Sequence, residues 1–404
     1  MTLIRRVVPL VALALTLVAL LAGPAAPDAA AQNTAPPPGG TIVEPRKLPF
    51  SEALARRNLR LPPGFWLDVW ATGLGNPRNL AIAPDGTVYV TRREQADVLA
   101  LNDRDGDGRA DQIRTVASGL KLVNGITLHD GRLYLATDRR VYAAPLLADG
   151  ALGDLETLIA DLPDAGQHPN RTLAFGPDGR LYISVGSTCN ACDDSNPESA
   201  TLLVAGADGS NRRIFASGLR NTIGFDWHPG SGQLWGMDHG SDWRGDDQPP
   251  EELNLLEDGA NYGWPWCYAD RRVDPYIPNE PKDSTKSGFC ASTQAPVQTY
   301  TAHSAPLDLL FYRSGQFPAQ YQGDAFVTMR GSWNRQQPSG YKVVRLRFQN
   351  GWPAGFEDFL TGFLVEGGRA QFGRPTGLAV APYGSLFVSD DTNGVIYRIS
   401  WAGR

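Results

Sequence analysis

The segment GQHPNRTLAFGPDGRLYISVG, from Gly166 to Gly186, sets His168 and Arg171 three residues apart just ahead of a Pro-Asp-Gly turn. A histidine titrates near neutral pH, and one held on a loop above a rigid sheet is suited to act as a general base. A second candidate is GLRNTIGFDWHP, in which Arg220 and Asn221 precede an apolar run. The planar donor fork of arginine suits a carboxylate or a developing oxyanion, although a lone loop arginine equally fits a surface ion pair. A third, MDHGSDWRGDDQPPEELNLL, could offer carboxylate and backbone oxygens to a hard cation, and a solvated acidic loop has the same composition. In NDRDGDGRAD, residues Asp103, Asp105, Asp107 and Asp111 take positions 1, 3, 5 and 9 of a calcium loop, with Gly108 at position 6. Position 12 is Arg114 instead of a bidentate glutamate, so calcium here would be weakly held and structural. Among the five histidines, His129 in a hairpin turn and His228 in a Trp-His-Pro turn read as structural, and His239 and His303 are left without a role.

These residues need a scaffold, and the chain repeats one. FGPDGRLYISVG joins a turn to alternating apolar residues, the pattern of a half-buried hairpin. The same unit recurs as IAPDGTVYVTRR from Ile82, TLHDGRLYLATDRRVYAA from Thr127, FDWHPGSGQLWGMDHG from Phe225, FPAQYQGDAFVTMRG from Phe317 and VAPYGSLFVSDDTNGVIYRIS from Val380. The steps are roughly 45 to 60 residues, with one of about twice that between Gly230 and Gly323, and periods of this size mark four-stranded propeller blades. The expected fold is therefore all-β: a six-bladed β-propeller, with GFWLDVWATGL from Gly64 closing the ring against the last strands. Pro249 to about Gln298 departs from the repeat and reads as a long inserted loop, stapled by cysteines.

With 44 Gly, 31 Pro and 42% hydrophobic residues in 404, the chain is turn-rich and able to bury a core. Arg5 and Arg6, an apolar run from Val7 to Leu21 and Ala29–Ala31 match a cleavable export signal over residues 1–31; a membrane anchor is the other reading of that run. Residues 32–60 read as a Pro-rich arm or linker, and 61–404 as the propeller. No later segment is apolar enough to span a membrane. Removing Arg5, Arg6 and Asp28 takes the formal net charge from −6 to one unit lower, and a mildly acidic chain without basic runs argues against nucleic acid. A secreted or periplasmic location is oxidising, so Cys189, Cys192, Cys267 and Cys290 are expected to form two disulfides, Cys189 with Cys192 and Cys267 with Cys290, out of three possible connectivities. A zinc site or a thioredoxin-like motif is the other reading of CNAC, but no helix follows it that could lower a thiol pKa.

Taken together, GQHPNRTLAFGPDGRLYISVG, GLRNTIGFDWHP, EELNLLEDGANYGWP, GSWNRQQPSGYKVVRL and GRPTGLAVAPYGSLFVSDD resemble the soluble quinoprotein glucose/sorbosone dehydrogenases, from about Leu61 to the C-terminus. The resemblance implies a six-bladed propeller carrying pyrroloquinoline quinone and Ca2+. It implies that His168 takes the proton of a sugar hydroxyl as hydride passes to the quinone. Arg220 would stabilise charge on the quinone oxygen and Asn221 would hold the cofactor. Arg330 and Arg374 would meet the cofactor's carboxylates, and the carbonyls of Gly240 and Ser241 would hold the calcium. Glu252, Tyr262 and Asp270 resemble a second, structural calcium site. Three positions depart from the family: Ser187 stands where glucose-oxidising members have an aspartate, and Arg330 where many sorbosone-type members have histidine. Phe372 replaces one of two close arginines, which leaves Arg374 alone and implies a weaker grip on the cofactor.

Two other functions fit a six-bladed propeller. One is a calcium-dependent lactonase of the gluconolactonase type, which needs carboxylates and amides converging on the axis and has no use for several arginines. The other is an exported binding propeller without catalysis, since fold alone does not set function. For the dehydrogenase, the substrate is an aldose or sorbosone-like sugar. Without a haem-attachment CxxCH motif, electrons leave to an external acceptor, a quinone or a cytochrome.

Overall fold

The structure is a computed structural model, describing residues 40–164 and 166–403. The expected export signal lies outside the described residues. The described chain is nearly all β, with two short α-helices, Glu52–Asn58 and Lys286–Ser292. Its strands form six four-stranded antiparallel sheets, a three-stranded sheet and a two-stranded one.

Each four-stranded sheet opens with the hairpin read from the sequence. The first and second strands are Pro77–Ile82 and Val88–Arg92 in the first sheet, Gly125–His129 and Arg132–Ala136 in the second, and Leu173–Phe175 and Leu181–Val185 in the third. They are Gly224–Trp227 and Leu234–Asp238 in the fourth, Pro306–Phe311 and Ala325–Met329 in the fifth, and Pro375–Val380 and Leu386–Asp390 in the sixth. The sixth sheet is completed by Phe65–Ala71, which pairs antiparallel with the C-terminal strand Val395–Trp401, so its outermost strand comes from the opposite end of the chain.

Side chains alternate across a strand, and this sequence makes both faces apolar. In the first sheet Val88 and Val90 pack on Trp70 and Phe387 of the sixth, while Tyr89 between them packs on Ile126 and Leu133 of the second. The same division recurs at Leu181 and Ile183 against Tyr134, with Tyr182 turned to Trp227. Trp235 and Met237 meet Leu309 and Val327, and Phe326 meets Leu378 and Val388. Six hydrophobic clusters thus lie between consecutive sheets and close from the sixth back to the first, a propeller-type arrangement. First strands crowd where sheets meet: a Cβ on Gly125 would stand 2.6 Å from the Arg171 carbonyl oxygen.

Two sequence expectations need correction. In the fifth unit the first strand is Pro306–Phe311, and Ala319–Tyr321 form a 3-10 turn; the aromatic spacing around Phe317 imitates a strand but fills the core beside Tyr312 and Phe359. The long insertion begins later than Pro249, because Glu251–Leu256 is the third strand of the fourth sheet and Gln298–Tyr300 its fourth. The excursion is 257–297, carrying the hairpin Cys267–Tyr268/Arg272–Val273 and the second helix. Its staple, Cys267–Cys290, and the bridge Cys189–Cys192 are both present. In the arm, Val43, Arg46 and Leu48 donate their backbone N–H groups to the carbonyls of Trp333, Arg369 and Gln371.

Candidate active site

In an antiparallel hairpin the start of the first strand and the end of the second lie at the same end. The loops entering each sheet and those leaving each second strand therefore converge, and the candidate residues sit on them. Counting seven residues on from the turn glycines Gly86, Gly131, Gly179, Gly232, Gly323 and Gly384 gives Arg93, Asp138, Gly186, His239, Arg330 and Asp391. Five of these six equivalent positions carry charge or an imidazole. At the sixth, Gly186, a Cβ would lie 2.6 Å from the His168 Cβ and 2.7 Å from Asn221 Oδ1, so His168 and Asn221 fill the space that a side chain takes elsewhere.

His168 is half-buried, and its Nδ1 lies 2.8 Å from the Ser187 carbonyl oxygen and 2.9 Å from Ser187 Oγ. A carbonyl only accepts, so Nδ1 carries the proton. Ser187 Oγ donates its own proton to the Cys189 carbonyl at 2.7 Å and accepts from the ring as well. The tautomer so fixed leaves Nε2 with its lone pair. Burial pushes the imidazole pKa well below its usual value, and the positive charge of Arg220 pushes it further, against the pull of the Ser187 carbonyl. Arg171, fully buried, donates to the carbonyls of Asp138, His168 and Pro163 at 3.0, 2.9 and 3.1 Å, so it braces the histidine loop and does not face a ligand.

Arg220 and Asn221 are held from behind by Asp238, whose buried carboxylate accepts their backbone N–H groups at 2.9 and 2.8 Å and the Thr222 hydroxyl at 2.8 Å. Burial raises Asp238 to about 6. The guanidinium of Arg220 is 3.1 Å from Asp242 and donates twice to Asn190. Next to Asp238, His239 contacts the Pro306 carbonyl through Nε2, and burial brings its pKa to about 4, with further lowering from Arg220 and Arg78. That shared influence puts the two halves of the site within electrostatic reach of one another. A bonded path also joins them: Asn124 donates to the Arg171 carbonyl at 3.2 Å and accepts from Arg78 at 3.3 Å.

The other half is cationic. Arg78 Nη1 lies 2.5 Å and Arg330 Nε 2.9 Å from Asp391 Oδ2. Arg374 donates to the carbonyls of Arg330 and Gly331 and stacks 5.2 Å from the Tyr341 ring centre. Arg93 has no hydrogen bond or ion pair among the described residues; burial lowers its pKa, and the Arg330 charge adds to that. Burial brings Arg374 to about 10, so it stays charged at neutral pH. Burial works to raise Asp391, but Arg330 and Arg78 outweigh it and hold the carboxyl below its usual range. Arg78 and Arg330 thus share the Asp391 carboxylate, while the guanidinium groups of Arg93 and Arg374 have no carboxylate bonded to them among the described residues. Phe372, where the family has a second arginine, is a core residue, and Arg78 and Arg93 lie within electrostatic reach of Arg330 and Asp391.

Among the described residues neither the Gly240 nor the Ser241 carbonyl receives a hydrogen bond, while Gly240 N–H donates 3.0 Å to Glu251. A Cβ on Gly240 would meet the Pro249 carbonyl oxygen at 2.8 Å, so the glycine permits a close crossing of two backbone segments. Two free carbonyls beside Asp242 suit a hard cation. Glu252 is buried, raised to about 8 by burial with the Asp238 charge adding to it, and accepts from Ala269 N at 2.6 Å. Asp270 is exposed on the small hairpin. The Tyr262 hydroxyl donates to the Leu255 carbonyl and accepts from Glu257 N, so only the main chain of Tyr262 is left to meet a metal. In the other acidic loop the carboxylates of Asp103, Asp105 and Asp107 lie within 4.8 Å of one another. Asp111 is not in that group; it caps the backbone N–H of Arg104 and Asp105.

His129 stacks on Phe175 at 3.8 Å and His228 on Phe348 at 5.0 Å, as structural residues do, and His303 Nε2 contacts the Gly245 carbonyl at 2.8 Å. Two open cavities, of about 430 and 490 Å3, share no lining residue with this site.

A sheet-built site of this composition belongs to the β-rich oxidoreductase class that the sequence motifs resemble. Residues 59–402 match the TrAA12-like family, and the chain belongs to it. Among relatives, it is 26% identical over 291 residues to aldose sugar dehydrogenase YliI of Escherichia coli, covering 68% of this chain and 67% of that protein. It is 24% identical over 418 residues to the pyrroloquinoline quinone-dependent pyranose dehydrogenase of Coprinopsis cinerea, covering 85% of this chain and 55% of that one. A structure of the Trichoderma reesei enzyme of carbohydrate-active family AA12 superposes with a TM-score of 0.73 at 23% identity, covering 85% of this chain and 98% of that one. The resemblance read from the sequence is borne out.

Proposed function

We propose that the protein is an exported quinoprotein dehydrogenase, a six-bladed propeller that oxidises an aldose or sorbosone-like sugar with pyrroloquinoline quinone and Ca2+ and passes the electrons to an external acceptor. The observation that carries this reading is the cluster of Arg78, Arg93, Arg330 and Arg374, in which Arg78 and Arg330 share Asp391 and the other two guanidinium groups have no carboxylate bonded to them among the described residues. Positive charge left unpaired at a half-buried site is costly unless an anion joins it, and a tricarboxylate supplies three negative groups. The free carbonyls of Gly240 and Ser241 fit the calcium.

Held by the arginine cluster and by the Gly240 and Ser241 carbonyls, pyrroloquinoline quinone would supply a hydride acceptor for the sugar's C–H bond and Ca2+ a Lewis acid. The chain does the rest. His168, with Nδ1–H fixed on Ser187, takes the sugar hydroxyl proton at Nε2, and its low pKa keeps that atom unprotonated at neutral pH. Arg220, oriented by Asn190 and Asp242, faces negative charge as it grows. Ser187 orients the base without adding charge, which favours substrates other than those of the glucose-oxidising members. A propeller lactonase would want Asp391 for a metal, but Arg78 and Arg330 occupy it.

Adding quinone and Ca2+ to the purified apoprotein and following dye reduction with a panel of aldoses and sorbosone tests the proposal. Reduction that needs both additions and a sugar is expected. No quinone binding at micromolar concentration, together with unchanged behaviour of His168→Ala, contradicts it.

A further inference from the structure

The turn between Cys189 and Cys192 is a second-sphere element that neither the sequence nor the family assigns to the site. All three polar atoms of its Asn190 that face the site are in use. The backbone oxygen accepts from Arg220 Nε at 2.8 Å, and Oδ1 accepts from Arg220 Nη2 at 2.9 Å and from Asp242 N at 2.8 Å. Nδ2 returns a bond to the Asp242 carbonyl at 3.1 Å. The same turn reaches the base from its other end, because Ser187 Oγ donates to the Cys189 carbonyl while Ser187 holds His168. The Cys189–Cys192 bridge closes the turn on itself.

We propose that Asn190 is a positioning residue of the site: its amide locks the Arg220 guanidinium to the 240–242 loop, and through Ser187 the same turn sets the spacing between Arg220 and His168. The inference rests on the dehydrogenase reading for its catalytic consequence but not for its geometry. If Asn190 only stabilised the fold, its removal would lower the melting temperature. If it positions Arg220, removal lowers turnover instead, since a misplaced group costs rate more than binding.

Two variants and two readouts separate these. In the reconstituted holoenzyme, Asn190→Ala is expected to lower kcat about tenfold or more at nearly unchanged KM, quinone affinity and melting temperature. Asn190→Asp keeps the acceptor and puts a negative charge against Arg220, so it offsets part of the positive field at His168, which Arg220, His239 and Arg171 share. Its expected signature, read by NMR in the apoprotein with His168→Ala for assignment, is a higher titration midpoint for the His168 imidazole. Wild-type kcat in Asn190→Ala, a loss of kcat matched by a loss of melting temperature, or an unmoved midpoint in Asn190→Asp would each overturn the proposal. A raised midpoint in a protein whose wild type takes no quinone would sink the dehydrogenase reading and leave the positioning role standing.

Discussion

The two halves of the site are built on opposite principles. On the side of the third and fourth sheets, Arg220 is bonded to Asn190 and Asp242, its backbone is capped by Asp238, and His168 is fixed by Ser187. On the side of the first, fifth and sixth sheets, Asp391 is the one buried carboxylate shared by Arg78 and Arg330, and Arg93 has no bonded partner among the described residues. In the first half the His168 ring and the Arg220 guanidinium are already fixed by protein bonds, as preorganised groups must be, because reorganising them during reaction would add to the barrier. The second half is incomplete and gains by binding an anion. On the proposed function chemistry and affinity fall to different sheets, and substitutions should separate them.

The largest separation is expected from His168→Ala, where loss of the base lowers kcat by about 10²–10⁴-fold in dye-reduction assays. Gly186→Ala comes next: the new methyl group would stand 2.6 Å from the His168 Cβ, and displacing the base by a fraction of an ångström should lower kcat on the order of tenfold to a hundredfold, with a fall in melting temperature from the overpacking. Arg93→Gln, on the opposite half, is expected to weaken quinone binding about tenfold by absorbance titration, with kcat at saturation preserved. Arg93 has no bonded partner to lose, and the attraction of Glu94 and the repulsion of Arg330 act on it in opposite directions, so its removal should change the melting temperature little.

The smallest effect is in pH dependence. His168 works unprotonated, and its pKa in the folded protein is below the ordinary value, so kcat/KM should hold as pH falls through 6.5 and drop only at more acidic pH. The same depression gives the unfolded chain the higher proton affinity, so this residue's contribution to stability is present above pH 6.5 and lost as pH falls towards the folded pKa. A kinetic limb at or above 6.5 would show that the histidine is not desolvated as the geometry requires.

Much of this was legible before any coordinates. The hairpin around Gly179 follows from a Pro-Asp-Gly turn between alternating residues, and its repetition gave the sheets and the closing strand at Phe65–Ala71. The third strand of the fourth sheet was hidden because it begins Glu251-Glu252, which reads as an acidic loop. Those carboxyls are in fact buried between strand and loop, and Glu251 accepts the N–H groups of Gly240 and Ala305. Arg78, Arg93, Asn124 and His239 escaped because each is an ordinary polar residue at a strand end, and Asn190 because it lies in the Cys189–Cys192 turn; only the packing of the sheets brings them together. A signal did exist for two of them: Arg93 and His239 fall at the same offset from their turn glycines as Arg330 and Asp391.

Parallel quinone titrations of wild type, His168→Ala and Arg374→Ala, each followed by a turnover assay at saturating quinone, address the division of labour most directly. The account predicts wild-type quinone affinity without turnover for His168→Ala, and weakened affinity with turnover recovered at high quinone for Arg374→Ala. Equal loss of affinity in both variants, or undiminished turnover in His168→Ala, would contradict it.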